Sequence, residues 1–318
     1  MAKVSILLAT FNGEKYLKEQ LDSILNQTFQ DFICYIHDDG STDSTKLILE
    51  RYESFSPKIK ILNYPACGSA KLNFMSMLKY VDTPYVMFSD QDDVWVQDKI
   101  EKSYLFIKSI AENSSNENIL VFSDLKIVDE NLEVLCNSYE KYENIIATNN
   151  MTLNKVIVRN ISCGNTMIIT KQLCDIARKC KHPDNIVMHD YWLMLIACTL
   201  GKVKYIKEPL VLYRQHCQNV CGAHSVNNKN IISRVNEHFI NIRKIGLKEF
   251  ISRKKAWINM CRKQALELAE LDELSPAQKK ICYDFGHLDK KNKIQRLIFY
   301  KSNYIRRDND NYRLIFWG

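Results

Sequence analysis

The chain has 318 residues, 46% of them hydrophobic and 25% charged, with a formal net charge of +7. This apolar content supplies a core for one large domain or for a domain with an extension. No run approaches the ~20 uninterrupted apolar residues of a transmembrane helix. The first apolar run begins at Val4, too early for a signal peptide to precede it. Eleven cysteines at irregular spacing fit a reducing, cytoplasmic setting better than a disulfide framework, and Cys34 and Cys198 in apolar runs read as core residues.

In chain order, residues 4–9 form an apolar strand ending in Thr10-Phe11-Asn12-Gly13. Residues 14–27 follow helical spacing, with Tyr16, Leu17, Leu21, Ile24 and Leu25 on one face. A strand over 32–36 runs into His37-Asp38-Asp39-Gly40-Ser41-Thr42-Asp43, and a helix over 44–52 follows with Asp43 or Thr42 as N-cap. A short strand over 58–63 and a helix over 70–80 come next. Strands alternating with helices at this spacing imply βαβ units and an α/β fold with a mostly parallel sheet. Ligands of such sheets bind beyond the carboxyl ends of the strands.

The run Tyr85-Val86-Met87-Phe88 is a buried strand that delivers Asp90, Asp92 and Asp93 to its C-terminal edge. Crowded carboxylates repel unless a cation or a proton sits between them. A hard divalent ion held by oxygen and completed by a substrate phosphate answers that repulsion, and an acidic turn capping the next helix is the plainer alternative. Neither glycine-rich phosphate cradle follows the first strand, so a nucleotide here needs its phosphates neutralised by a metal. A metal-dependent nucleotidyltransferase would also use clustered Asp, but it should carry a basic, glycine-rich loop where Thr10-Phe11-Asn12-Gly13 stands.

Further along, 119–124 and 167–169 read as strands, and Gly164 between small polar residues allows a close backbone approach, either as an ordinary turn or as a wall of a ligand pocket. Asp190 opens the apolar helix 193–200 and can act there as a cap. Past a strand over 210–213, Arg214 can neutralise a diphosphate. His216 is a plausible ligand beside carboxylates for Mn²⁺, less so for Mg²⁺. His216, Cys217, Cys221 and His224 also suggest a compact zinc site at unusual spacing, within a polar loop over 215–230.

Charge is uneven: residues 229–318 carry 20 basic and 10 acidic side chains, whereas 1–110 carry 12 and 15. The basic segment has helical periodicity, with Ile240, Ile245, Leu247, Phe250, Ile258 and Met260 interspersed. An anionic membrane surface, a nucleic acid, or a merely solvated face each fits such helices. No nucleic-acid-binding motif is present, so nucleic acid is not expected. The expected organisation is a domain over 1–228, in two halves (1–110 and 111–228), and a basic helical extension over 229–318.

The stretches 4–13, Asp38-Asp39-Gly40-Ser41-Thr42-Asp43 and Asp90-Gln91-Asp92-Asp93, in this order and spacing, resemble the family-2 glycosyltransferases over roughly residues 1–220. Phe88 to Trp95, His189-Asp190-Tyr191-Trp192-Leu193 and Glu208 to His216 more narrowly resemble bacterial rhamnosyltransferase-like members. The resemblance implies the GT-A fold, a nucleotide-sugar donor such as dTDP-L-rhamnose or another dTDP- or UDP-sugar, and a divalent metal, Mn²⁺ or Mg²⁺. It places Thr10, Phe11, Asn12, Asp38 and Asp39 at the nucleoside, Asp90 and Asp92 at donor ribose and metal, His216 as a metal ligand and Asp190 as catalytic base. A single base opposite the leaving group implies inversion. It further makes 1–110 a nucleotide-sugar-binding half and 111–228 an acceptor half, and implies a saccharide or lipid-linked saccharide acceptor and a peripheral place at the inner membrane face. A noncatalytic sugar-nucleotide or glycan-binding module on the same fold is the alternative.

Overall fold

The computed structural model describes residues 2–114, 117–143, 145, 147–149, 151–216 and 246–305. The expected zinc residues Cys217, Cys221 and His224, most of the 215–230 loop and the expected boundary after residue 228 lie outside the described residues.

The N-terminal third is a run of βαβ units. Strands β1 (Val4–Thr10), β2 (Phe32–Asp38), β3 (Ile59–Ile61) and β4 (Tyr85–Ser89) alternate with helices α1 (Leu17–Leu25), α2 (Thr45–Phe55) and α3 (Ala70–Met77). All seven residues of β1 are buried, as a central parallel strand covered on both faces requires. β1 pairs in parallel with β2 (Val4 opposite Phe32) and β4 (Val4 opposite Tyr85). Helix α1 starts three residues later than the periodicity suggests, because Gly13 to Tyr16 make a turn that closes on the Gly13 carbonyl.

The remaining strands are β5 (Val94–Trp95), β6 (Ile119–Val128), β7 (Val134–Cys136), β8 (Met167–Thr170) and β9 (Lys202–Arg214). The sheet order is β3-β2-β1-β4-β8-β6-β9-β5, with β7 on β6. Thus the parallel half read from the sequence continues into a mixed half. Helix α4 (Lys99–Glu112) carries the chain from β4 to β6, which runs in the same direction and leaves a gap that β8 fills. β6 ends at the ligand edge, so β8 enters from that edge and runs antiparallel to both neighbours. β9 is parallel to β6 and far longer than the 210–213 segment legible in the sequence.

Alternate residues feed two cores, as the two-residue period of a strand dictates. Ile6, Leu8, Met87, Val121 and Ile168 pack under α1, α2 and α4. Leu7, Phe88, Phe122, Met167 and Ile169 pack under α3, α7 (Lys171–Ala177) and α8 (His189–Leu200). The short helices α5 (Tyr139–Glu143) and α6 (Leu153–Val156) pack against β6 and α8 respectively. The extension contributes α9 (Leu247–Ala269), α10 (Pro276–Gly286) and α11 (Lys293–Ser302). Ile258, Ala265, Leu268, Cys282, Phe285 and Tyr300 of these helices join the second core. Buried Glu267 fixes the docking by accepting the backbone N–H groups of Lys181 (2.7 Å) and His182 (2.9 Å). Among the described residues no helix is long and apolar enough to cross a membrane.

Candidate active site

The C-terminal ends of β1, β2 and β4 meet along one edge. Thr10 closes β1 and its carbonyl accepts the Asp39 N–H at 2.8 Å, which locks the two strand ends together. Asp38 turns back on its own loop, accepting the Ser41 N–H at 3.0 Å. Asp39 Oδ1 accepts the backbone N–H groups of Cys67 and Gly68, the latter at 3.2 Å, and so ties the β3–α3 loop to the β2 end. Phe11 is 54% exposed beside it, a free aromatic face at the strand end. Asn12 has φ 48°, in the left-handed region, and its side chain accepts the Thr42 N–H at 2.9 Å. The α2 N-cap is Ser44 rather than Asp43 or Thr42. Asp43 instead accepts the N–H groups of Thr45 (3.0 Å) and Glu14 (3.1 Å), bridging the first two loops.

Gln91 joins this corner to the acid loop. Its Oε1 accepts Thr10 Oγ1 at 2.6 Å and the Phe11 N–H at 2.8 Å, and its Nε2 donates to the Phe11 carbonyl at 3.0 Å. Gly13 leaves room for it, since a Cβ there would lie 2.3 Å from Gln91 Oε1.

The three acids after β4 have three environments. Asp93 is fully buried, accepting Asn165 Nδ2 and the Arg214 N–H (3.1 Å), and burial with the neighbouring Asp92 and Asp90 charges pushes its carboxyl well above the usual range. Asp92 Oδ2 lies 2.8 Å from His216 Nε2. Asp90 is half-buried, and removal from water together with the Asp92 and Asp190 carboxylates raises it to about 7. Arg214 braces the loop from below: its Nε donates to the Asp92 carbonyl at 2.8 Å, and its other nitrogens reach the Glu130 carbonyl and Glu19 Oε2, with the guanidinium 4.5 Å from the Tyr16 ring centroid. The Gln20 amide, oriented so that both ends are satisfied, donates to the Asp93 carbonyl at 2.6 Å and accepts from Trp95 Nε1 at 3.2 Å.

Asp190 faces this loop from the first turn of α8. The helix is capped at Met188, so Asp190 is not its N-cap, although its Oδ1 accepts the Tyr191 N–H at 2.6 Å. Asn160 Nδ2 donates to Oδ2 at 3.1 Å, and burial raises the carboxyl to about 6. The turn Gly164–Thr166 lies against it, and a Cβ at Gly164 would stand 2.6 Å from His189 Nε2. His189 is stacked on Phe74 at 3.9 Å between ring centroids, and burial lowers it to about 3, so it is neutral.

The structure therefore gathers Thr10, Phe11, Asn12, Asp38 and Asp39 in one corner, and Asp90, Asp92, Arg214 and His216 in the adjoining loop, with Asp190 near enough to raise Asp90. Asn165, Glu19, Glu130 and Gln91 are further members that carry no signal of their own in the sequence, apart from Gln91 lying inside the acid motif. His37, Asp39 and Cys67 have ligand-type atoms within 4.8 Å of one another. Both His37 nitrogens are engaged, with Asn73 Oδ1 at 2.8 Å and the Tyr64 carbonyl at 3.0 Å, so this group does not offer a ready metal site.

Residues 5–115 match the model of glycosyl transferase family 2. The dTDP-rhamnosyl transferase RfbG of Shigella flexneri is 32% identical over 222 residues, 68% of this chain and 74% of that protein. A UDP-Glc:alpha-D-GlcNAc-diphosphoundecaprenol beta-1,3-glucosyltransferase of Escherichia coli, WfgD, is 25% identical over 52% of this chain and 59% of its own. Among solved structures, S. aureus TarS 1-349 in complex with UDP-GlcNAc superposes with a TM-score of 0.55 at 18% identity, over 95% of this chain and 79% of that one. The mannosyltransferase PcManGT from Pyrobaculum calidifontis, in complex with GDP-Man and Mn²⁺, gives 0.53 at 14% identity, over 95% and 73%. These likenesses carry the fold, and the Shigella relative together with the family match carries the assignment: the chain belongs to glycosyl transferase family 2 and is a glycosyltransferase.

Proposed function

We propose that the chain is an inverting, metal-dependent glycosyltransferase of bacterial surface-polysaccharide synthesis, moving L-rhamnose from dTDP-L-rhamnose to a saccharide or lipid-linked saccharide acceptor. The rhamnosyl donor is supported by the likeness to RfbG. The observation that carries the reaction is the placement of a carboxyl raised to about 6, Asp190, close enough to Asp90 to shift it, while Asp92 on the same loop touches His216. A base with a pKa near the operating pH is ionised yet still basic enough to take a proton.

In this reading the acceptor hydroxyl oxygen attacks the anomeric carbon as its proton passes to Asp190. The bond from that carbon to the diphosphate oxygen breaks, and the nucleoside diphosphate leaves on the opposite face. Asp39 accepts the ring N–H of a pyrimidine base, while Thr10, Phe11, Asn12 and Asp38 shape that corner. The oxygen and imidazole donors of Asp90, Asp92 and His216 suit Mn²⁺, and the Asp92–His216 contact already brings two of them together. A divalent ion held there would supply Lewis-acid stabilisation of the leaving diphosphate. Arg214 keeps Asp92 in place through its carbonyl and adds positive charge behind the loop.

The extension is read as the contact with an anionic membrane at the cytoplasmic face. Residues 246–305 carry 13 basic and 7 acidic side chains, and α11 exposes Ile294 (71%) and Ile298 (59%) among Lys291, Lys293 and Lys301. The test of the transferase reading is nucleoside-diphosphate release from a panel of dTDP-, UDP- and GDP-sugars with and without Mn²⁺. Release from dTDP-rhamnose that requires both metal and acceptor is expected, and a GDP-sugar preference would overturn it.

A further inference from the structure

Lys99 is the first residue of α4, six positions after the acid triplet, and its side chain is 0% exposed. Among the described residues its Nζ has no hydrogen-bond partner, and it lies 4.1 Å from the Trp95 ring centroid. A lysine at a helix N-terminus is already disfavoured by the helix dipole, and burying an ammonium without a partner is costlier still. Burial accordingly lowers Lys99 to about 7, and the pull in the opposite direction comes from Asp93. The two groups share one enclosure. Trp95 carries Lys99 on its face while its Nε1 donates to Gln20, whose amide donates to the Asp93 carbonyl. The other side of Asp93 is held by Asn165 and the Arg214 backbone N–H, both neutral donors.

We propose that Lys99 is a positioning residue for the acid loop: a buried counter-charge behind Asp93 that offsets the carboxylates of Asp90, Asp92 and Asp93 before a cation binds, and so sets how tightly the loop takes one. The last part rests on the reading of Asp90, Asp92 and His216 as a metal site. A positive charge at this place costs a divalent ion affinity and in return keeps the loop folded without it. A merely packing role for the lysine stem predicts neither effect.

The test uses the full chain at about pH 6, below the value of about 7 to which burial lowers Lys99, with Mn²⁺ affinity by calorimetry and melting temperature with and without Mn²⁺. Lys99→Met, similar in length and neutral, is expected to bind Mn²⁺ more tightly, on the order of tenfold, since a like charge has been removed from a poorly screened site. Mn²⁺ is expected to raise its melting temperature more than it raises that of the wild type, because the ion takes over the lost counter-charge. Lys99→Arg should resemble the wild type. Should Lys99→Met not fold, the double variant Lys99→Met/Asp93→Asn, which removes both charges, is expected to recover the fold, and its failure would overturn the proposal. Equal or weaker Mn²⁺ binding by a folded Lys99→Met, with wild-type binding intact, also overturns it. Absence of Mn²⁺ binding by the wild type would instead refute the metal reading and leave the melting of the single and double variants to decide the role of Lys99.

Discussion

His216 Nε2 sits 2.8 Å from Asp92 Oδ2, a contact that spans 124 positions of chain and joins the end of β9 to the loop after β4. The chain arrives there because Val94 and Trp95 pair with Leu212 and Val211, so the two strand ends are in register before either side chain acts. The Tyr16 ring, 4.9 Å away between centroids, covers the imidazole from the other side. Asp92→Asn and His216→Ala are each expected to weaken Mn²⁺ binding at least tenfold and to remove most turnover, since loss of a metal contact forfeits several kcal/mol of transition-state stabilisation. Melting temperatures should change little, because the partner left behind is not fully buried. Full turnover of either variant at limiting Mn²⁺ would show that the pair is only structural.

Arg214 offers a contrasting case. Its side chain is 2% exposed and its donors are spent on two backbone carbonyls and Glu19. Arg214→Met should cost about 2–4 kcal/mol of stability, because two carbonyls lose their charge-assisted donors inside the protein. Urea unfolding checks the loss. If stability is unchanged and only nucleotide affinity falls, the guanidinium belongs to the diphosphate rather than to the loop.

At the corner where β1 and β2 end, Asp39 spends Oδ1 on the Cys67 and Gly68 N–H groups. The pyrimidine reading gives its other oxygen to the base. Calorimetry of dTDP, UDP and GDP with Mn²⁺ is expected to rank both pyrimidine nucleotides above GDP, and Asp39→Ala should erase the ranking. A variant that loses all three equally would point to collapse of the 64–68 loop instead of lost base recognition.

The basic extension makes a salt-dependent prediction. Sedimentation with anionic vesicles should carry the protein down at low salt and release it as salt rises, since the Debye length shrinks to ~10 Å at 0.1 M. Ile294→Ser/Ile298→Ser should weaken this binding without moving the salt dependence. Equal binding to neutral vesicles would remove the electrostatic part of the reading.

What the sequence makes legible here follows from local physics. The run Tyr85 to Phe88 ending in acids is a buried strand by composition alone, and Asp90, Asp92 and Asp93 are at its end wherever the rest of the chain goes. By contrast, Met167–Thr170 is equally apolar in either direction, so its antiparallel insertion depends on where β6 leaves the chain. Gln91 and Thr10 are 81 positions apart, and nothing in either residue marks the 2.6 Å bond between them. Lys99 reads as an ordinary charge at the start of a surface helix, and only tertiary packing removes it from water. The extension reads as basic and helical, but that Ile258 and Phe285 complete the α8 core cannot be told from charge.

The last expectation concerns Asp190. It sits one residue inside α8, past the Met188 cap, so removing its charge takes away a dipole contact rather than a true cap. Asp190→Asn keeps an oxygen for the 2.6 Å bond to the Tyr191 N–H and relieves a carboxyl that burial holds at about 6. The sign for stability follows from the raised pKa. An acid whose folded pKa lies above its unfolded value favours the fold most when protonated, so the wild type loses this contribution as pH rises from the unfolded value through about 6, and the amide does not. The stability of Asp190→Asn should therefore lack this fall with pH, although its new amide group faces the Asn160 Nδ2 donor and forfeits that bond. The amide cannot take a proton, so turnover should fall roughly 10²-fold or more. Wild-type turnover should itself rise with pH through an apparent pKa near 6, and the residual activity of the variant should lack that limb. Nucleoside-diphosphate affinity should survive, because the proposed role of Asp190 is toward the acceptor and not the nucleotide. Near-normal turnover with the limb intact would assign the proton to another group, and Asp90, which senses the Asp190 carboxylate and is raised to about 7, is the first to test.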